Sequence, residues 1–264
     1  MLNDIMIGQY IERDSLVHKL DPRIKILVIL FYIVTIFLLD TFLGYLALFI
    51  FITGTIFLSK LKFKYIIKSI KPILFIVIFT VLIHFFMTRG GEVLWEFGWL
   101  RIEEEGFYLG VFMALRLIFL IMFTSLLTLT TSPLELTDGL ESLLKPFKKI
   151  GLPSHELAMM MTIALRFIPT LLEEAEKIMK AQKARGANFE DSNLIKKAKS
   201  LIPLLVPLFI NAFRRADDLA LAMEARCYRG GENRTKMKVM LFRYYDYLTF
   251  VVSLSYFILV AIFF

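Results

Sequence analysis

Cysteine occurs once in the 264 residues, at Cys227, and histidine three times, at His18, His84 and His155. A lone thiol excludes a disulfide framework within the chain and a multi-cysteine metal centre. The scattered histidines lack the spacing of metal ligands. No G-x-x-x-x-G-K-[ST] run is present, so the chain has no phosphate loop and is not an ATPase by itself. His155-Glu156 is not followed by the second histidine of a zinc-protease helix, and no G-x-S-x-G elbow occurs. No cofactor and no metal are expected. The polar start (Asn3, Asp4, Gln9, Glu12) shows no signal-peptide pattern.

What the chain has in excess is apolar surface: 58% hydrophobic residues, 26 of them Phe. A soluble domain of this size could not hide that much from water, so an integral membrane protein is expected. The chain also holds 31 Lys plus Arg against 24 Asp plus Glu, for a net charge of +7, so a sizeable part must face water. Apolar runs at 24–39, 41–59, 72–88, 106–131 and 246–264 predict about five transmembrane helices. A hairpin at Asp40 separates the first two, and Lys71-Pro72 opens the third.

Basic residues set the orientation. Arg13, Lys19, Arg23 and Lys25 precede the first span, and the loop 59–71 holds Lys60, Lys62, Lys64, Lys68 and Lys71. The loop 89–105 has Arg89 and Arg101 among five glutamates, with Glu103-Glu104-Glu105 read as a solvated outer loop. The segment 132–245 carries 19 of the 31 basic residues. The N-terminus and 132–245 are therefore expected in the cytoplasm, and the C-terminus outside. The organisation is 1–131 with four spans, 132–245 cytoplasmic, and 246–264 a last span. The fold class is all-α, polytopic, with long cytoplasmic helices. The lysines at 60–71 suit anionic lipid headgroups of the bilayer, and nucleic acid is not an expected partner. Arg116, inside the fourth span, needs a carbonyl, a carboxylate or water, and a structural pairing is favoured over a substrate site. His84 reads as a packing residue.

Within 132–245 two apolar stretches, 157–172 and 201–213, are short for spans, and each runs on into a charged amphipathic pattern. They read as two helices of about 30 residues, roughly 45 Å each, although two further spans are the alternative. Ser154 is the candidate cap of the first, and the second begins near Asn193 or Lys199. Gly186 and Gly230-Gly231 are the stops. A shorter amphipathic element spans 133–147. Met159, Met160 and Met161 cannot share one face of a helix, and methionine suits a surface that adapts to exchangeable partners; ordinary packing is the alternative.

The two helix ends repeat at an offset of 41: Ala175, Ala181, Ala184 and Arg185 stand over Ala216, Ala222, Ala225 and Arg226. Alanine allows close approach, and arginine offers a rigid charged fork for carboxylates or carbonyls. Two such tips suit two similar sockets. The bland alternative is that Ala and Arg are common in helices.

These strings, RDSLVHKLDPRIK (13–25), AQKARGANF (181–189) and AMEARCYRGGENRT (222–235), resemble the transmembrane T component of energy-coupling factor (ECF) transporters, EcfT, over nearly the whole chain. The resemblance implies a non-catalytic membrane scaffold of an ABC-type importer. It implies that the scaffold joins two cytoplasmic ATPases to a membrane-embedded S component that binds a vitamin, metal ion or other micronutrient. Carried over, Ala184, Arg185, Gly186, Ala225, Arg226 and Cys227 dock on the ATPases. Met159, Met160, Met161, Leu165, Leu204 and Leu205 are candidate contacts for the S component. Cys227 departs from the glycine of the shorter motif, which leaves open whether it forms the helix cap or the cap moves to Gly230. A membrane enzyme and a stand-alone secondary transporter are the competing classes; the latter would show inverted repeats in its spans.

Overall fold

A computed structural model describes residues 10–97, 100–187, 189, 194–230 and 240–264. Ten helices are present among them: α1 (Leu16–Lys19), α2 (Pro22–Leu38), α3 (Phe42–Ser59), α4 (Phe63–Ile70), α5 (Leu74–Met87), α6 (Glu104–Thr130), α7 (Pro133–Leu144), α8 (Ser154–Ala184), α9 (Leu194–Ala225) and α10 (Tyr244–Phe263). One antiparallel hairpin, β1 (Val93–Phe97) with β2 (Leu100–Glu103), is added to the expected all-α architecture. The described residues divide into two compact units, one within 10–142 with 240–264 and the other within 143–230.

In the first unit the hydrophobic core joins α2, α3, α6 and α10 through Tyr32, Ile36, Leu48, Ile52, Phe123 and Phe257, all buried. The outer faces stay apolar and exposed, for example Phe37, Phe57, Phe79 and Val251. An apolar exterior around an apolar core is the pattern of a bundle solvated by lipid. By length and composition α3, α6, α8 and α10 can each cross a membrane, and α4 with α5 makes a fifth candidate, bent by 57°. The expected span 24–39 is α2, 17 residues long, about 25 Å at the helical rise.

The polar contacts show which span ends lie together. At one end, the Asp246 carboxylate accepts the Arg243 amide (2.8 Å) at the start of α10 and the Asp21 amide (2.9 Å) at the start of α2. Lys25 donates to the carbonyls of His18 (3.3 Å) and Thr130 (3.0 Å) and to Thr131 Oγ1 (3.0 Å), which ties α2 to the end of α6. Ile11 donates its amide to Leu129 (3.1 Å), and Arg13 donates to the Lys60 carbonyl at the end of α3. Ser15 caps α1 and also pairs with His18 Nδ1 (2.6 Å), whose Nε2 donates to the Ile11 carbonyl (3.0 Å). The 13–25 string is therefore a knot of hydrogen bonds at one end of the bundle. Burial and the nearby Lys25 and Arg13 charges hold His18 below its ordinary value, against the opposing pull of the Ile11 bond.

At the opposite end, Arg116 donates to the Leu39 carbonyl (3.2 Å) and to Tyr45 Oη (3.2 Å), with Asp40 at 3.8 Å and the Phe37 ring at 5.2 Å. Leu39 follows the last residue of α2, where a carbonyl has no partner within the helix, so Arg116 is a structural pairing as expected. His84, at the end of α5, pairs with Thr88 Oγ1 (3.1 Å). Starts and ends of successive spans thus alternate between the two ends, as the sequence required.

Three local expectations are corrected. Pro72 does not open the third span: it sits in the break between α4 and α5, and α5 starts at Leu74. The loop 59–71 is mostly the amphipathic helix α4. Glu103, Glu104 and Glu105 do not form a free loop. Glu103 ends β2 and precedes α6, and Glu104 and Glu105 occupy its first turn, where acidic side chains favour the dipole. Their amides donate to Glu92 (2.9 Å) and Gly90 (3.1 Å). The start of α6 lies against the end of α5 because Gly106 and Gly110 leave room. A Cβ on Gly106 would stand 2.7 Å from the His84 carbonyl, and one on Gly110 would stand 2.6 Å from the Phe85 ring. This small-x-x-x-small pair is a membrane packing signature that was present in the sequence and went unread. The 133–147 element is α7, closed by a Ser132–Glu135 capping box, followed by a 3-10 turn at Lys145–Ile150.

Candidate functional site

The second unit is built on α8 and α9, of 31 and 32 residues. Their lengths match the expected rods. Ser154 is not the cap of α8: it is the first helical residue, buried, and Pro153 takes the cap position without a side-chain bond. The second helix starts at Leu194; Asn193 and Gly231, an expected start and stop, lie outside the described residues.

Four contacts fix how the helices run. Glu174 accepts from Asn211 and from Arg215 (3.1 Å). Gln182 donates to the Pro203 carbonyl at 3.5 Å, and His155 Nε2 lies 3.5 Å from Tyr228 Oη. Partner numbers fall on α9 as they rise on α8, so the pair is antiparallel. Pro207 has no amide hydrogen, which leaves the Pro203 carbonyl without its bond within the helix. Gln182 from the neighbouring helix reaches that orphan group. The buried positions of α8 are small, Ser154, Ala158 and Ala175, which suits a close neighbour.

The tips end alike. In α8, Arg185 and Gly186 donate their amides to Gln182 (3.1 Å) and Lys183 (3.0 Å), and Ala187 reaches back to Gln182 (3.0 Å). In α9, Arg226 and Cys227 donate to Met223 (3.1 Å) and Glu224 (2.8 Å), and Tyr228 reaches back to Met223 (3.0 Å). Each is a Schellman-type closure with the residue after the arginine left-handed. Gly186 has φ +88° and Cys227 has φ +56°. Cys227 therefore takes the glycine's role at some strain, and the cap does not move to Gly230, which is left-handed on its own account at φ +87°. The offset of 41 is a repeat of backbone geometry, beyond composition.

Ala184, Arg185, Gly186, Ala225, Arg226 and Cys227 are all exposed. Among the described residues neither arginine is engaged in an ion pair. Because the helices are antiparallel, the two tips stand at opposite ends of the pair, about 45 Å apart by helical rise. Of the candidate contact residues, Met160, Met161 and Leu205 are exposed, Met159 and Leu165 are half-buried, and Leu204 is buried. The sequence reading marked 201–213 as apolar but did not single out as a contact face the stripe Ile202, Val206, Phe209 and Phe213, exposed at 54%, 51%, 60% and 70%. Its spacing of three and four residues was the available signal. No cluster of His, Cys, Asp or Glu suited to a metal occurs among the described residues.

A family model described as CbiQ, cobalt transport protein, matches residues 13–237. The energy-coupling factor transporter transmembrane protein EcfT of Clostridium kluyveri is 58% identical over 263 residues, 99% of this chain and 96% of that one. The chain belongs to the EcfT family. Relatives of the same description in Thermosediminibacter oceani and Bacillus subtilis are 56% and 48% identical, over 96% and 91% of this chain and 95% and 91% of theirs. The family is one of multi-pass transmembrane components rather than enzymes, in agreement with the sequence reading.

Proposed function

We propose that the chain is the coupling scaffold of an ECF importer, linking two cytoplasmic ABC-type ATPases to a membrane-embedded S component that selects a vitamin or other micronutrient. The observation that carries this is the near-full-length match to EcfT proteins. The paired, equally capped arginine tips supply the means. Arg185 and Arg226, flanked by Ala184, Gly186, Ala225 and Cys227, seat in grooves on the ATPases. Tips about 45 Å apart cannot share one groove, so each engages its own subunit. When nucleotide binding draws the subunits together, the rods between the tips must turn or shift. Motion of the rods passes to the S component on the exposed apolar side, through Met160, Met161 and Leu205 with Phe209 and Phe213, at the edge of the half-buried Met159 and Leu165. Leu204 holds the helix in place from beneath.

In the same proposal, 1–131 and 246–264 are the membrane region and 132–245 the cytoplasmic coupling region. The bundle end bearing Arg13, Lys19, Arg23, Lys25 and the lysines of 60–71 is cytoplasmic by the positive-inside rule. On this reading the N-terminus is inside and the C-terminus outside. Although α8 is long and apolar enough to span, its second half carries Glu173, Glu174, Glu176, Lys177, Lys180 and Lys183 and the charged end of α9 lies beside its first half, which suits a helix lying along the membrane surface rather than crossing it. The test is uptake by the reconstituted complex. Arg185→Glu or Arg226→Glu should release ATPase subunits or uncouple hydrolysis from transport; full ATP-driven uptake by the Arg226→Glu protein would remove the role given to that tip.

A further inference from the structure

Helix α4 is given no part in the coupling role, yet it and its flanks carry charge of one sign only. Residues 60–71 hold five lysines and no acidic residue. Lys62, Lys64, Lys68 and Lys71 are exposed, and among the described residues none is paired with a carboxylate. With 100° between successive residues, Lys64, Lys68 and Lys71 fall within an arc of about 60°. Immediately beside them on the wheel stand Phe63 and Ile67, exposed at 48% and 54%. The next face holds Ile66, fully buried, and Ile70, half-buried; α4 packs against α6. Three sectors follow one another around the helix: protein, exposed hydrocarbon, and bare positive charge.

The backbone bends this helix away from the one that follows. Lys71, Pro72 and Ile73 break it from α5 with a bend of 57°, and Pro72 cannot donate the amide that would continue the helix. The α5 helix has 14 residues, about 21 Å, short of the roughly 30 Å hydrocarbon core. Together α4 and α5 are long and apolar enough for one span, and a tilted α4 would set Phe63 and Ile67 against the acyl region. Lysine stems beside them carry their ammonium groups out to headgroup level.

We propose that α4 is a binding surface for anionic phospholipid headgroups, with Lys64, Lys68 and Lys71 as the contact charges and Phe63 and Ile67 as the hydrophobic anchor. Charge complementarity selects the occupant. Each basic residue at a membrane surface is worth about a fivefold preference for anionic lipid, and the surface offers no carboxylate to receive a cationic one. The proposal stands apart from the coupling role, because neither tip contributes to it.

The experiment uses the full chain purified in mixed micelles of phosphatidylglycerol and phosphatidylcholine, with retained lipid counted by native mass spectrometry. The wild-type protein should retain phosphatidylglycerol in preference, and the preference should fall with added salt. Lys64→Gln/Lys68→Gln/Lys71→Gln should lower it by at least about tenfold, while the triple Arg variant keeps it. Lys145→Gln/Lys148→Gln/Lys149→Gln, an equal loss of charge elsewhere, should leave it unchanged. The proposal is overturned if the wild type shows no preference, if the α4 triple Gln variant keeps it, or if the control variant loses as much.

Discussion

The matched tips allow a test in which one substitution strains a cap and the other relaxes one. Gly186 is left-handed at φ +88°, and a Cβ added there would meet nothing within 4 Å. Gly186→Ala therefore clashes with no neighbour, and it adds backbone strain of about 1–2 kcal/mol for an L residue, less the roughly 0.5–1 kcal/mol by which alanine restricts the frayed chain. The remaining cost of about 0.5–1 kcal/mol is roughly a two- to fivefold rise in the population with the last turn frayed. The α9 tip should respond in the opposite sense. Cys227 already bears left-handed strain at φ +56°, which Cys227→Gly removes, while glycine's greater freedom in the frayed chain takes back about 0.5–1 kcal/mol. A net gain of less than about 1 kcal/mol is left. Amide hydrogen exchange on the intact protein reads both effects. Exchange at Ala187, which donates to the Gln182 carbonyl, should quicken by roughly two- to fivefold in Gly186→Ala, with Met179 deeper in the helix unchanged. Exchange at Tyr228 should slow in Cys227→Gly. A wild-type rate at Ala187 in the alanine variant would refute the argument that the caps depend on left-handed backbone.

Other substitutions probe the remaining contacts. Arg116→Leu strands the Leu39 carbonyl and the Tyr45 hydroxyl, and should cost about 1–3 kcal/mol, read as a lower thermal midpoint in detergent that Arg116→Lys partly restores. Gly106→Ala sets a methyl against two backbone carbonyls, at 2.7 and 2.8 Å. It should push α5 from α6 at about 1–3 kcal/mol, measured the same way, whereas Gly54→Ala, which meets nothing within 4 Å, should be neutral or better. Glu174→Ala removes the acceptor of Asn211 and Arg215 and should loosen the α8–α9 pair by about 1 kcal/mol, seen as faster exchange around residue 211. His18 is held below its ordinary value of 6.5, so the folded state prefers the neutral ring. Its contribution is complete above pH 6.5 and is lost as pH falls through the lowered folded value. The thermal midpoint should drop on acidification from pH 7 in the wild type, and less so in His18→Gln.

Much of this was legible in the sequence, and the reasons are specific. Span positions followed from unbroken apolar runs, since a bilayer allows few alternatives to a helix of that length. The rods and tips were visible because Ala-Arg repeats at the ends of two helical patterns. Hidden were features fixed by contact between distant segments. Nothing local assigns Cys227 a left-handed backbone; it follows from the helix stopping after Arg226, as its twin stops after Arg185. Pro72 looked like a first-turn proline because that rule is local, whereas the break it makes depends on α4 packing against α6. The hairpin of β1 and β2 escaped notice because a two-stranded ribbon of four and five residues leaves little periodicity to read.

The shared carboxylate of Asp246 bears on assembly. Its two bonds close the starts of helices separated by 225 residues, so at about 5–20 residues per second the earlier helix waits on the order of 10–45 s for its companion. The Asp21 amide can endure that delay because it sits where water still reaches a nascent helix end. Had evolution placed such a weld at mid-bilayer, the orphaned group would have had nothing to hold on to in the meantime. The ribosome's timetable, as much as final stability, favours putting long-range polar joints at the rim.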